Sequence, residues 1–169
     1  MQLRKDARRR QVEHATVTFQ EAQRIGILYD ATAPEDFEAV KEYIKKVRST
    51  YKKDLLSMGF VDKKKLPREQ FPQYGMDLFT RKGLDYRMVP VDPIVRNFID
   101  TPFDILINLH NGRIFPLRYI SALSNARFRV GRYDRRSIDS NDMMVHLAGS
   151  PSLREVLEET EAFLRKLKI

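Results

Sequence analysis

The residues with the clearest chemical potential follow two apolar runs, RIGILYD and FDILINL. Asp30 ends the first run, while Asn108, His110 and Arg113 surround the end of the second. A histidine beside a carboxylate can act as a general base, because its charge changes near neutral pH. If the two runs form neighbouring strands, these four side chains would share a cleft at the strand ends. Taken alone, His110 fits an ordinary loop residue that makes a hydrogen bond better than it fits a catalytic base, so the pattern defines a candidate site and not a reaction.

Positive charge is gathered in three stretches of the chain. The 169 residues carry a formal net charge of +8, and residues 1–10, 52–68 and 127–136 each carry +4, so the remainder is net acidic. Clustered Lys and Arg attract phosphate backbones and release their counterions on binding. A solvated basic surface that binds nothing specific would have the same composition. The side chains predicted to bind a polyanion are Arg4, Lys5, Arg8, Arg9, Arg10, Lys63, Lys64, Lys65, Arg132, Arg135 and Arg136.

Several kinds of site are excluded because the chain lacks the residues they need. Cysteine is absent, which rules out disulfides and thiol catalysis, and the three histidines, His14, His110 and His146, are too far apart for a zinc motif. No GxGxxG, GxxxxGK[ST] or GxSxG stretch is present, so the usual phosphate cradles are missing. We therefore expect no cofactor and no metal. The lack of an apolar run of about 18 residues argues against a membrane span, and the lack of cysteine indicates the cytoplasm.

The elements that must position these residues alternate between strand and helix. Apolar runs predict strands at 24–30, 54–62, 103–109, 126–131 and 142–149. Apolar spacing of three and four residues, with proline near the start, predicts helices at 32–51, 92–100, 114–124 and 152–168. The stretch from 76 to 91 fits two short strands or irregular structure. In the strand at 126–131, Phe128, Val130 and Tyr133 are expected to pack inward, and the intervening arginines to reach solvent.

This alternation predicts a single Rossmann-like α/β domain with a mostly parallel sheet of about four to six strands and helices on both faces. The domain is placed at residues 21–169, preceded by a basic N-terminal arm or helix at residues 1–20. Ligands of open α/β sheets bind outside the carboxyl ends of the strands. The polar residues after each strand are therefore the ones to follow.

The segment FDILINLHNGRIFPLRYISALSNARFRVG resembles part of the N-terminal domain of heptosyltransferase-type glycosyltransferases. There too, a strand with an early Asp leads through a polar end and a helix to a short strand that ends in Gly. The resemblance covers residues 103–131 and implies a shared Rossmann-like architecture. Those enzymes also carry a Gly-Asp pair after their first strand, where this chain reads LYDATAPED, and a second domain for the sugar nucleotide. Sugar transfer is therefore not implied.

A wider pattern is similar to a family of short bacterial proteins of unknown function. It consists of FIDTPFDILINL, then PLRYISALSNARFRVG, a late strand and a terminal amphipathic helix. This resemblance covers most of the chain and supports the fold. It brings no catalytic residues with it.

Three functions remain open at this level. The charge pattern favours a non-catalytic module that binds RNA or a ribonucleoprotein surface. The second is a small ligand-binding protein or enzyme that uses the strand-end cleft of a glycosyltransferase-like half-fold. The third is a protein-interaction module that docks an acidic partner. The sequence leaves the oligomeric state open.

Overall fold

The computed structural model describes Asp6 and residues 12–168, and there strands and helices alternate along the chain. The strands are β1 (Arg24–Asp30), β2 (Asp54–Val61), β3 (Met76–Thr80), β4 (Ile105–Asn108), β5 (Phe128–Arg132) and β6 (Met143–Val145). The helices are α1 (Pro34–Tyr51), α2 (Pro93–Asp100), α3 (Phe115–Leu123) and α4 (Leu153–Lys166). Short 3₁₀ helices follow β3 and β5, at Arg81–Gly83 and Arg135–Ser140.

All of these strands run parallel in one six-stranded sheet, in the order β3-β2-β1-β4-β5-β6. Leu28 of β1 lies opposite Met58 of β2 on one side and Asn108 of β4 on the other. This is the strand order of a doubly wound Rossmann sheet, and it reverses direction between β1 and β4. The predicted Rossmann-like α/β class is therefore confirmed. Because the strands are parallel, the loops that follow their carboxyl ends share one edge of the sheet, which we call the carboxyl edge.

Helices cover both faces of this sheet, as predicted. Val40 of α1 and Leu157 of α4 are buried in the core on one face, together with Phe19 from the segment before β1. Val95 of α2 and Leu117 of α3 belong to the core on the other face. Prolines at the starts of α1, α2 and α3 suit the first helical turn, where no intrahelical N–H bond is lost. In the described part of the chain, no helix combines the length and apolar character that a membrane crossing needs.

The strand after α3 differs from its expected pattern. Phe128 and Val130 are buried as expected, but Tyr133 lies beyond the strand and is 48% exposed. Arg129 is buried, although arginines here were expected to reach solvent. Its Nε and Nη2 donate to Asp142 at 3.1 and 2.8 Å. The prediction was wrong because a sheet covered on both faces leaves a central strand no solvent face, and the charge is instead neutralised by a carboxylate next to β6.

Of the alternatives left open for residues 76–91, a strand forms at β3, and residues 86–91 are irregular, with an isolated bridge between Leu84 and Pro90. The final strand, expected at 142–149, is limited to Met143–Val145. It therefore pairs with β5 over only three residue positions.

Candidate functional site at the carboxyl edge

Basic side chains from distant parts of the sequence come together at the carboxyl edge. Lys63, Lys64 and Lys65 follow β2 directly and are exposed. Further bases lie after β3, after β4, and at the end of β5 and just beyond it: Arg81, Lys82, Arg113, Arg132, Arg135 and Arg136. The lysines after β2 and the arginines after β5 are three strand positions apart. At about 4.8 Å per strand, this separation is roughly 14 Å.

Two of the basic stretches seen in the sequence, 52–68 and 127–136, each contain a strand, so their bases lie at opposite edges of the sheet. At the opposite edge of the sheet, Lys53 is buried with its Nζ 2.5 Å from the carbonyl oxygen of Ala22, which accepts its hydrogen bond. Arg127, at the same end of the molecule, lies 3.8 Å from Asp104. Residues such as these hold the structure together. The bases left for a ligand are those that follow the strands.

Most of the bases at the carboxyl edge are not neutralised. Arg81 pairs with Asp62, and Arg136 pairs with Asp134. Within the described residues, no ion pair is formed by Lys63, Lys64, Lys65, Arg113, Arg132 or Arg135. The edge therefore carries unpaired positive charge at both ends.

Between these ends, the turn from β1 to α1 is acidic. In dinucleotide-binding Rossmann folds this turn holds the pyrophosphate, but here Glu35 and Asp36 occupy the first turn of the helix. Burial, followed by the nearby charges of Glu35 and Asp30, raises the pKa of Asp36 above its ordinary value. Asp30 Oδ1 accepts hydrogen bonds from the backbone N and the hydroxyl of Thr32, at 3.0 and 2.6 Å. A phosphate at this turn would meet like charge.

His110 is enclosed beyond the end of β4. Its Nδ1 accepts a hydrogen bond from the backbone N of Gly112 at 3.2 Å, and its buried Nε2 has no hydrogen-bond partner among the described residues. Burial lowers the pKa of His110 to about 4, with a further lowering from Arg118 and an opposing effect of Asp134. The imidazole is therefore neutral at pH 7 and closed to solvent.

The structure places the four cleft residues in different surroundings. Asp30 stabilises its own turn, and Asn108 is buried and hydrogen-bonded to side chains behind its strand. Asp134 lies close enough to His110 to oppose the lowering of its pKa. Arg136, and to a smaller extent Arg113, lower the pKa of Asp134 in turn. No contact among the described residues joins Asp30 to His110, and neither ring nitrogen of His110 is hydrogen-bonded to a described carboxylate as a general base would be. No cluster of three His, Asp or Glu side chains in this part of the chain could hold a metal ion.

A polar groove of about 350 Å³ opens beside the end of β5. Its walls are Asn111, Arg113, Arg132, Tyr133, Asp134, Arg136, Ser150 and Pro151. The sequence identified the arginines of this groove but not the groove itself. Ser150 and Pro151, which line one side of the groove, belong to the segment just before α4. No local sequence pattern shows that this segment lies next to the end of β5.

Exposed aromatic rings accompany the bases on the carboxyl edge, which the sequence analysis missed. Tyr86, in the loop after β3, is 92% exposed, and Tyr133, which follows the last residue of β5, is half exposed. The guanidinium of Arg87 lies 5.5 Å from the centre of the Tyr86 ring. Exposed rings beside cations are suited to stacking on nucleobases.

The basic arm predicted at residues 1–20 is described in part, at Asp6 and at residues 12–20. The five bases predicted to bind a polyanion there lie outside the described residues: Arg4, Lys5, Arg8, Arg9 and Arg10. Asp6 is described, and its Oδ2 accepts a hydrogen bond from the hydroxyl of Tyr119 in α3 at 3.1 Å.

Fold and site together define a Rossmann-like α/β protein with an acidic β1–α1 turn and a basic carboxyl edge. A family model described as "Family of unknown function (DUF6913)" matches residues 1–167. The chain therefore belongs to this family, which confirms the predicted membership in a family of unknown function. No curated protein matches the chain.

Among solved structures, the chain is similar to a crystal structure of homoserine dehydrogenase from S. aureus. The identity is 18% and the TM-score 0.36, with 64% of this chain and 26% of the dehydrogenase chain covered. The chain thus spans about a quarter of that protein's length. Similarity at this level says nothing about the site.

Proposed function

We propose that this protein is a non-catalytic module that binds single-stranded RNA, free or exposed on a ribonucleoprotein, along the carboxyl edge of its sheet. The observation that carries the proposal is that the lysines after β2 and the arginines after β4 and β5 share one edge, where all of them except Arg136 form no ion pair with another described residue. Positive charges separated by roughly 14 Å suit a repeating phosphate backbone better than a single small anion. The lack of cysteine in the chain is in keeping with a cytoplasmic site of action.

The acidic β1–α1 turn gives this interface a specific form. Because Asp30, Glu35 and Asp36 lie between the two basic ends, phosphates are disfavoured at the centre of the edge. The RNA strand is therefore bound at two points, by the lysines after β2 at one end of the edge and by the arginines after β4 and β5 at the other. Exposed Tyr86 and Tyr133 favour a single strand over a duplex, since only unpaired bases can stack on them.

Fluorescence anisotropy with a labelled oligouridine tests this function. The variant Lys63→Ala/Lys64→Ala/Lys65→Ala should bind more weakly, and its plot of log affinity against log salt should be shallower by about 2, at about 0.7 per lost contact. Because phosphate contacts carry no base information, the loss should be similar for other base sequences. The matched control Lys41→Ala/Lys45→Ala/Lys46→Ala removes the same charge from α1 and should keep the parent slope.

Two results would contradict the proposal. One is the absence of measurable oligouridine binding by the parent protein in low salt. The other is an equal loss of affinity in both triple variants, which would mean that net charge matters and the carboxyl edge does not.

A further inference from the structure

The polar groove beside β5 has features of a more specific site. We propose that it binds a terminal phosphate monoester of the RNA strand. This inference rests on the RNA-binding function proposed above and names the part of the RNA that the groove holds.

The charge of the groove fits a monoester. Its three arginines and one aspartate leave a net charge of +2. Arg136 is already paired with Asp134: its Nε and Nη2 donate hydrogen bonds to the carboxylate at 2.9 and 3.0 Å. Arg113 and Arg132 form no ion pair among the described residues. A phosphate monoester carries a charge of about −1.5 to −2 at pH 7, whereas an internal phosphodiester carries a single charge.

The side chains also suit this ligand chemically. A guanidinium presents its N–H groups as a planar fork that pairs with two phosphate oxygens at once. Tyr133 lines the same groove and is half exposed, so its ring is available to a base next to the bound phosphate. Charge and an aromatic surface therefore lie side by side, as the end of a nucleotide chain requires.

The walls of the groove are fixed by tight packing between loops. Gly112 has φ of +76°, and a Cβ there would lie 2.6 Å from Ser137 Oγ and 3.0 Å from Asp134. The loop after β4 therefore packs directly against the loop after β5. Arg118 Nη1 also donates to the carbonyl oxygen of Arg136 at 3.2 Å. Such packing holds Arg113 close to the arginines of β5 before any ligand arrives.

The groove is bounded by three segments, which favours a chain end over a strand that passes through. Asn111 and Arg113 form one wall, the residues from Arg132 onward form the second, and Ser150 and Pro151 form the third. A compact terminal phosphate can contact all three walls at once, whereas an internal phosphodiester carries a nucleotide on each side that must also be accommodated.

Competition binding with oligouridines that differ only in their ends tests the proposal. The parent protein should prefer an oligouridine with a terminal phosphate over one with hydroxyl ends by about tenfold, the value of a charged hydrogen-bonded contact. Arg132→Ala and Arg113→Ala should abolish this preference, and Arg132→Lys should weaken it. Arg135→Ala is the matched control, because Arg135 belongs to the same basic cluster but does not line the groove. It should lower the affinity for all oligouridines and keep the preference.

The pH provides a second readout that a general charge effect would not give. The second pKa of a phosphate monoester is about 6. The preference should therefore shrink as the pH falls from about 7.5 to about 5.5, because the monoester then approaches the charge of a diester. The affinity for the hydroxyl-ended oligouridine should change far less.

A second experiment compares the binding of uridine monophosphate and of uridine through the chemical shifts of the protein in NMR spectra. It distinguishes failure of the groove proposal from failure of the RNA-binding proposal. If the parent binds oligouridine but prefers neither the phosphorylated end nor the monophosphate, the groove proposal is overturned and RNA binding stands. If Arg132→Ala keeps the preference, the groove proposal is also overturned. If the monophosphate binds through Arg132 and oligouridine does not bind at all, the groove is a mononucleotide site, and both RNA proposals fail.

Discussion

The burial of His110 links the stability of the protein to pH. A buried neutral imidazole makes stability depend on pH, because its folded-state pKa of about 4 is below the value near 6.5 expected in the unfolded chain. As pH falls, the unfolded chain takes up this proton first. The contribution of His110 is therefore complete above about pH 6.5 and is lost as the pH approaches 4.

We expect the free energy of unfolding to fall by about 2 kcal/mol between about pH 7.5 and pH 5 on account of His110. Urea unfolding at the two pH values measures this difference. His110→Gln should show a correspondingly smaller change. An NMR titration in which His110 of the folded protein gains its proton near pH 6.5 would contradict the prediction.

Only part of the role of these residues could be read from the sequence. The position of His110 after an apolar run predicted a strand end correctly. Its burial could not be predicted, because the enclosing groups come from α3 and from the loop after β5. Glycine favours tight turns, but the close approach of Gly112 to Ser137 depends on how two loops pack, which no local pattern shows.

Among the elements, α4 shows the clearest agreement between sequence and structure. The spacing of Leu157, Val156 and Leu164 predicted an amphipathic helix, and all three side chains are buried against the sheet. Ser152 caps the helix, and its Oγ accepts a hydrogen bond from the backbone N of Glu155 at 3.2 Å. Phe163, a further apolar residue of this helix, is 40% exposed.

Leu157→Ala should reduce the free energy of unfolding by about 2–5 kcal/mol, because it leaves a cavity between α4 and the sheet. Leu157 is only 2% exposed, so little relaxation toward solvent can fill that space. Urea unfolding followed by circular dichroism measures the change. Phe163→Ala, at the half-exposed position on the same helix, should cost clearly less, and equal losses would show that α4 does not pack as described.

The elements that could not be predicted are those fixed by distant partners. β6 is three residues long and exists because it pairs with β5. The burial of Arg129 likewise depends on Asp142 in the neighbouring segment. Long periodic helices carry their own signal, whereas short edge strands and buried ion pairs do not.

At the scale of the whole molecule, the sequence predicted the fold class and the basic clusters but not their relative positions. Strand order decides which clusters meet. Because β1 lies between β2 and β4, the lysines after β2 and Arg113 after β4 flank the acidic turn of β1. A different order of the same strands would separate these groups. Basic stretches that are separate in the sequence are thereby brought to one edge of the sheet, at its two ends.

The basic arm at residues 1–10 extends this picture. Its five bases hold a net charge of +4, half the total of the chain. Asp6 lies against Tyr119 of α3, one fixed point in a segment that is otherwise outside the described residues. We expect the arm to add phosphate contacts to those of the carboxyl edge without reading bases.

Deleting residues 1–10 should weaken binding to all oligouridines and make the salt dependence shallower by about 3 to 4, at about 0.7–0.9 for each of about four lost contacts. Replacing the five arm bases with Gln serves as the control for chain length, and should give the same slope as the deletion. We expect urea unfolding to be nearly unchanged in both: the deletion loses the hydrogen bond from Tyr119 to Asp6, worth about 1 kcal/mol, and the Gln variant keeps it. An unchanged slope would restrict RNA binding to the folded domain. A large loss of stability on deletion, absent from the Gln variant, would instead mean that the arm packs on the domain as a structural element, with its charges serving no ligand.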